Sequence, residues 1–260
     1  MRNTLAIAGR ELRAYFHSPI AYLIIAAYSV VCGFFFYNIT AEYVVESFRM
    51  QSMGGGMGMP SMSINEIIIR SLFEGVLTVV LLFLIPLITM RLYAEEKRSG
   101  TIELLLTSPL TDFQIIMGKF LGAFALYAIL IVITFLYVGI LFIYGNPAAK
   151  PLLAVALGIL LFGAALLALG MWISTFTKNQ IIAGGVSFGV FLLLYVFNWV
   201  SAYSTSPMGR ILAYLSLTTH FDNFAKGVIE LKDLIYYLSV IALGLFLTAR
   251  SVEALKGRAS

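Results

Sequence analysis

The sequence has few charged residues and a single cysteine. Of its 260 residues, 12% are charged and 60% are hydrophobic, whereas a soluble domain carries about 25% charged residues. This composition excludes a soluble globular domain and a disordered chain, and the lone Cys32 excludes an internal disulfide. The chain also lacks a G-x-x-x-x-G-K-[ST] string, so it does not bind nucleotide phosphates through that loop. The remaining class is an all-α integral membrane protein.

Stretches without charge divide the chain into membrane spans. Four long charge-free runs and two shorter ones cover 14–41, 120–149, 151–177, 179–209, 75–90 and 234–249. A helix needs about 20 apolar residues to cross a bilayer, and flanking residues complete the two short runs. We predict a single transmembrane domain over 1–260, with six spans at 20–39, 69–91, 117–144, 152–175, 181–203 and 233–250.

Lys and Arg are divided unequally between the connections. With the N-terminus inside, six of the 17 cationic residues fall outside, and eleven fall inside, namely Arg2, Arg10, Arg13, Arg91, Lys97, Arg98, Lys119, Lys178, Arg250, Lys256 and Arg258. This excess predicts that both termini are cytoplasmic. No ionisable residue lies deep within a predicted span, which argues against a proton- or sodium-driven carrier. The energy for any transport then has to come from elsewhere.

Residues 1–17 are predicted to form an amphipathic helix in the cytoplasmic interface. One face carries Leu5, Ala8, Leu12, Tyr15 and Phe16, and the opposite face carries Arg10 and Arg13. The alternative is an extension of the first span, against which Pro19 argues. Further along, pairs of glycines at a spacing of four either allow close helix contact or are merely tolerated in lipid, namely Gly118 with Gly122 and Gly185 with Gly189.

Residues 40–68 form a Gly/Met-rich connection predicted to be an outer loop. Thioethers suit Cu(I), so its methionines are weak candidates for a metal site: Met50, Met53, Met57, Met59 and Met62. The favoured alternative is a flexible loop whose methionines are incidental or touch a partner, because no cysteine or histidine stands nearby. We therefore predict no metal site here.

The segment 92–112 concentrates charge on the predicted cytoplasmic side. A charged helix over 93–98 is interrupted at Ser99-Gly100, a short apolar helix follows over 101–106, and Thr111-Asp112 caps the next span. Such a hairpin could dock into a groove of a soluble partner. Alternatively, it is a solvated loop whose charges only keep it soluble.

The connection 204–232 is too broken by glycine and proline to cross the membrane, and we predict a pair of short outer or re-entrant helices. It contains His220 and Asp222, which could suggest a metal pair. Two ligands without a third make a weak site, so capping or ordinary hydrogen bonding is favoured. The sequence indicates no catalytic residues.

Three strings carry a family resemblance: ELRAYFHSPIAYLI near the start, FLIPLITMRLYAEEKRSGTIELLLTSPLTDFQIIMGKFLGA over 83–123, and SLTTHFDNFAKGVIELKDLIYYLSVIALGLFLT over 216–248. The sequence resembles the membrane subunits of type-2 ABC exporters, most closely the gliding-motility-associated GldF-type permeases. The resemblance implies an interfacial helix, six spans and a dimer of permease subunits in a bacterial inner membrane. It also implies a separate cytoplasmic ABC ATPase that uses ATP and Mg, with no cofactor in this chain and no nucleic-acid partner.

By the same resemblance, the loop between spans two and three holds the coupling helix that contacts the ATPase. Its residues here are Glu95, Glu96, Lys97, Arg98, Ser99, Gly100, Thr101, Ile102, Glu103, Leu104 and Leu105. The chain would then be a permease subunit and not an enzyme. An outer auxiliary protein is a further expected partner.

Two other functions stay open from the sequence. The chain could be a non-transporting scaffold that transmits ATPase-driven motion to an outer partner, or, less favoured, a copper-handling protein. Transport predicts a path lined by polar span residues, of which the candidates are Tyr28, Asn38, Tyr127, Tyr137, Asn198 and Tyr203. The tyrosines among them equally suit helix packing or the lipid interface.

Overall fold

The computed structural model describes residues 2–52, 63–102, 110–203 and 207–259. Within these ranges nearly every residue is helical and no strand occurs. Six of the described helical stretches are long and apolar enough to cross a membrane: Pro19–Met50, Asn65–Ser99, Asp112–Tyr144, Ala149–Ser174, Gln180–Asn198 and Leu231–Lys256. The prediction of an all-α integral membrane protein with six spans is confirmed.

The first two spans follow a short N-terminal helix. Helix α1 (Arg2–His17) stops at Ser18, and α2 (Pro19–Ser52) begins at Pro19, where a missing N–H costs little. The second span, Asn65–Ser99, is called span 2 below. It starts with two π-helical segments, Asn65–Ile69 and Ser71–Leu77, and continues as α3 (Thr78–Thr89) and, after a turn, α4 (Ala94–Ser99).

Helix α5 (Asp112–Tyr144) begins with a capping box. The Thr111 hydroxyl accepts from the Gln114 N–H, and the Gln114 side chain accepts from the Thr111 N–H. This confirms Thr111 as the predicted N-cap. The remaining helices are α6 (Ala149–Ser174), α7 (Gln180–Tyr203), α8 (Pro207–Leu215), α9 (Leu217–Ala225) and α10 (Leu231–Ala259).

Several helices continue past the boundaries expected from the charge-free runs. Helix α2 extends to Ser52 instead of ending at 39, so 40–52 is helix rather than loop. Likewise, α5 begins at Asp112 rather than 117, and α10 continues to Ala259 rather than ending at 250. Counting charges finds the apolar core of a span, but a helix can run on into water through polar turns such as the one holding the Arg49–Glu46 ion pair at 3.6 Å.

Helix α6 is the centre of the bundle. It packs against α3, α5, α7, α9 and α10, and two-thirds of its most apolar window is buried, compared with 17% for α7 and α10. Helices α6 and α9 pack closely because position 158 is a glycine, which has no side chain. A Cβ on Gly158 would lie 2.4 Å from Phe224 Cβ of α9. Helix α9 is therefore held tightly against the start of α6.

Candidate functional site

A buried lysine joins three separate parts of the chain. Lys119, in the second turn of α5, has a side chain only 1% exposed. Its ammonium donates to Glu96 Oε1 at 2.6 Å, to Glu11 Oε1 at 3.1 Å and to the Leu92 carbonyl at 2.9 Å. All three donors are therefore satisfied, as a buried charge requires. We call the end of the bundle that contains this lysine the α1 end.

Two glycines let α1 lie directly on α5. A Cβ on Gly118 would come 2.6 Å from Ile7 Cβ, and one on Gly122 would come 2.6 Å from Glu11 Cβ. This approach brings the Glu11 carboxylate within reach of Lys119. The structure therefore decides in favour of close helix contact for this pair. A Cβ built on Gly185 or Gly189, by contrast, would meet no atom of another helix within 4 Å among the described residues.

The buried face of α1 is rotated from the one predicted. Ile7 and Tyr15 are buried, whereas Leu5 is 65% exposed. The Tyr15 hydroxyl donates to the Ile88 carbonyl at 2.8 Å, and burial raises the pKa of this phenol, which keeps it a donor. Of the other residues assigned to the interfacial helix, Leu12 and Phe16 pack partly buried against the core, and the exposed residues are Arg10 and Arg13.

The segment after α3 is fixed at its base by the end of α6. The Tyr93 N–H donates to Ser174 Oγ at 3.0 Å, and the Lys97 ammonium donates to the Thr175 carbonyl. Helix α4 then ends at Gly100, whose φ of 73° is a left-handed C-cap that favours glycine. The charged helix and the interruption predicted for this stretch are both present.

Within its described part, 95–102, the predicted coupling segment is most open to solvent at its tip. Arg98, Ser99, Gly100 and Thr101 are exposed, whereas Ile102 is half-buried and packs against the core. The rest of the predicted set lies outside the described residues: Glu103, Leu104 and Leu105.

The two neighbouring glutamates of this segment point in different directions. Glu95 is 46% exposed and pairs with Arg91 at 2.8 Å, whereas Glu96 is only 17% exposed and turns inward to Lys119. Arg10 lies 2.9 Å from Glu11 and 3.8 Å from Glu96. These ion pairs form a charged cluster of three cations and three anions: Arg10, Arg91, Lys119, Glu11, Glu95 and Glu96.

A cleft of about 700 Å³ lies between α1, the segment 91–101 and the start of α5. The charged cluster lines it, together with Tyr15, His17 and Thr101. Within the described residues, Arg91 Nη1 and Glu96 Oε2 are buried atoms without a hydrogen-bond partner. Two residues that line the cleft therefore each keep one buried polar atom that those residues do not satisfy.

At the opposite end of span 2, the two residues of the suggested metal pair make separate hydrogen bonds. His220 Nδ1 lies 2.6 Å from Asp233 Oδ1, whereas Asp222 Oδ1 accepts from Arg70 Nη2 at 2.8 Å. No group of three His, Cys, Asp or Glu side chains in the described residues could hold a metal ion. We call this end of the bundle the α9 end.

Most of the tyrosines considered for a translocation path pack between helices of the chain itself. The Tyr28 hydroxyl lies 2.5 Å from Thr134 Oγ1, Tyr127 donates to the Ile159 carbonyl, and Tyr137 donates to the Ser29 carbonyl. The amide of Asn38 donates to a carbonyl of its own helix, and Asn198 accepts from Thr219 of α9. The side chain of Tyr203 is outside the described part of the structure.

The chain contains one G-x-S-x-G string, Gly185–Gly189. In hydrolases this string forms a strained turn between a strand and a helix, with the serine exposed. Here it lies inside α7, and Ser187 is fully buried. The string therefore lacks the structural setting of a nucleophile.

Sequence reasoning missed the residues that organise the α1 end. By the distribution of charge, Lys119 is one of eleven cytoplasmic cations, and Glu11 belongs to no predicted site. Their signals are weak but present: Glu11 shares a helical face with Ala8 and Tyr15, and Lys119 directly follows Gly118 at the start of an apolar run. Nothing in the sequence pairs them.

The family model described as "ABC-2 family transporter protein" matches residues 5–252. The chain belongs to this family. The chain is also 29% identical to two curated relatives, each called "Probable multidrug ABC transporter permease YbhR", from Escherichia coli K12 and Escherichia coli O157:H7. The match covers 75% of this chain and 56% of each relative, so the chain spans about half the length of the curated relatives it matches.

Proposed function

We propose that this ABC-2 family chain is the membrane-spanning permease subunit of an ATP-driven exporter in a bacterial inner membrane. It would act with a separate cytoplasmic ATPase and a second permease subunit, with both of its termini in the cytoplasm. Family membership over residues 5–252 carries the proposal. The 260 residues contain no G-x-x-x-x-G-K-[ST] string, which agrees with nucleotide binding by a separate subunit.

The exposed tip of the coupling segment is the proposed contact with the ATPase. The segment that carries the tip is hydrogen-bonded to α6 through Tyr93. It is also connected to α1 and α5, because Lys119 of α5 binds both Glu96 and Glu11. A displacement of the tip would consequently move span 2, α1, α5 and α6 together. In this reading Arg98, Ser99, Gly100 and Thr101 touch the partner, and the resemblance adds Glu103, Leu104 and Leu105.

Glu95 and Glu96 have different roles in this proposal. Glu95 is partly exposed and can reach a partner, whereas Glu96 holds the segment in place through Lys119. A lysine at position 96 would face Lys119, and like charges at that distance in a buried site oppose folding. Reversal of Glu96 is therefore a poor test of docking.

A second candidate function has an observation in its favour. Tyr28, Tyr127 and Tyr137 use their hydroxyls between helices of one chain, which leaves few polar groups for a path. This suits a scaffold that transmits motion to an outer partner, including a gliding-motility-type assembly. If the chain transports, the name of its Escherichia coli relatives makes drug-like organic molecules the first substrates to test.

Co-purification in mild detergent tests the proposed function. We expect a soluble P-loop ATPase to co-purify with the chain, and we expect Arg98→Glu to remove it because this exposed charge lies at the tip. The matched control is Lys150→Glu, which reverses an exposed cation in the first turn of α6 and should leave the ATPase bound. Both variants should elute as the parent does. Retention of the ATPase by Arg98→Glu, or its absence from the parent sample, contradicts the proposal.

A further inference from the structure

Helix α9 is firmly attached to the last span. Asp233, 1% exposed near the start of α10, shares one carboxylate oxygen with His220 at 2.6 Å and accepts from Asn223 Nδ2 at 2.7 Å through the other. The Tyr237 hydroxyl of α10 donates to the Leu217 carbonyl at 2.7 Å. These buried bonds make α9 and the start of α10 one unit.

Among the described residues, one ion pair connects that unit to the beginning of span 2, beside the packing of α9 against the segment Ser71–Leu77. Asp222 Oδ1 accepts from Arg70 Nη2 at 2.8 Å, and Arg70 Nε donates to Glu74 on its own helix at 2.7 Å. The other oxygen of Asp222 accepts from Lys226, the C-cap residue of the same helix. Of these three pairs, only Arg70–Asp222 joins two elements.

The surroundings of Arg70 differ from those of Asp233. Arg70 and Asp222 are each about one-third exposed, so water can replace either partner when the two separate. Arg70 also lies between the two π-helical segments of span 2. π-helical segments within an α-helix frequently mark functional sites. Their hydrogen bonds join residues five apart instead of four, so each turn is wider than an α-helical turn.

Span 2 carries the charged cluster at its other end. From Arg70 to the end of α3 at Thr89 the helix covers on the order of 30 Å at 1.5 Å per residue, which is about the thickness of the hydrocarbon core. The same helical stretch therefore contacts α1 and α5 at one end and α9 at the other. Any movement of span 2 along or about its axis therefore acts on the ion pair between Arg70 and Asp222.

We propose that Arg70 and Asp222 are positioning residues that transmit movement of span 2 to the α9–α10 unit. This inference rests on the proposed function, because the movement begins where an ATPase contacts segment 94–102. With the pair intact, displacement of that segment changes the packing of α9. With the pair broken, span 2 moves without α9.

Hydrogen exchange on the complex with its co-purified ATPase tests the inference, with and without ATP and vanadate. In the parent we expect trapping to change exchange in two peptides, one covering 94–102 and one covering 217–225. In Arg70→Gln the change in 94–102 should persist, whereas the change in 217–225 should fall about fivefold. This factor corresponds to a coupling free energy of ~1 kcal/mol between the two elements. Asp222→Asn breaks the same pair from the other side and serves if Arg70→Gln does not fold.

The matched control is Lys226→Gln, which removes the other partner of Asp222 but leaves the link between helices. It should behave as the parent does. Replacing Arg70 and Asp222 by cysteines and joining them with a bifunctional thiol reagent should restore the response of 217–225.

The outcomes separate the two proposals. A parent sample without ATPase contradicts the proposed function, and this inference falls with it. A bound ATPase with an unchanged 217–225 response in both Arg70→Gln and Asp222→Asn overturns the inference alone. An equal loss of the 217–225 response in Lys226→Gln also overturns it. The response would then depend on any cation beside Asp222, and not on the ion pair that joins the two helices.

Discussion

Replacing Lys119 by methionine should destabilise the chain strongly. Methionine fills a similar volume but leaves Glu11 and Glu96, with side chains 14% and 17% exposed, without their shared cation. It also leaves the Leu92 carbonyl without its donor. Removing one partner of a buried ion pair costs about 3–5 kcal/mol. At ~2–4 °C per kcal/mol for a chain of this size, the midpoint of thermal unfolding should fall by roughly 10 °C.

The assay is thermal unfolding of purified protein in detergent, followed by the loss of the monodisperse peak in size-exclusion chromatography. Lys178→Met is the matched control, because it makes the same chemical change at an exposed position between α6 and α7. Its midpoint should stay within about 1 °C of the parent, as is usual for surface substitutions.

A further variant separates charge from packing. Adding Glu11→Gln and Glu96→Gln to Lys119→Met removes the two unpaired carboxylates, so about half of the lost stability should return. A fall of less than roughly 2 °C in Lys119→Met, or an equal fall in Lys178→Met, would refute the argument that this buried lysine holds α1, span 2 and α5 together.

Three further predictions concern packing at the two ends. Gly122→Val should push α1 off α5 and increase proteolysis after Arg13. Gly139→Val should not, because the added Cβ would meet no atom of another helix within 4 Å in the described ranges. Asp233→Ala should cost about 2–4 kcal/mol in detergent unfolding, because it strips two hydrogen-bond partners from a buried site; a cost below ~1 kcal/mol contradicts this. Gly227→Ala should cost at least ~1 kcal/mol, since its φ is 80° and the new Cβ would lie 2.4 Å from Pro151 Cβ. A neutral effect on the unfolding midpoint would be evidence against it.

The sequence by itself determined the class of the protein and the order of its elements. Charge-free runs located six spans, because the cost of placing charge in lipid leaves a signal that is local in the chain. Pro19 and Thr111 marked two helix starts through their own backbone and side-chain chemistry. The helix ends were less certain, since a helix such as α2 continues beyond the apolar stretch.

Only the tertiary structure decided which charges meet. Lys119 and Glu11 are 108 residues apart, and Arg70 and Asp222 are 152 apart. Periodicity identifies a face of one helix but not the residue opposite it on another. Whether Glu96 turns inward and Glu95 outward depends on where α1 and α5 lie, and that follows from close packing at Gly118 and Gly122. The partners of a charged side chain are therefore set by helix packing, which no local pattern contains.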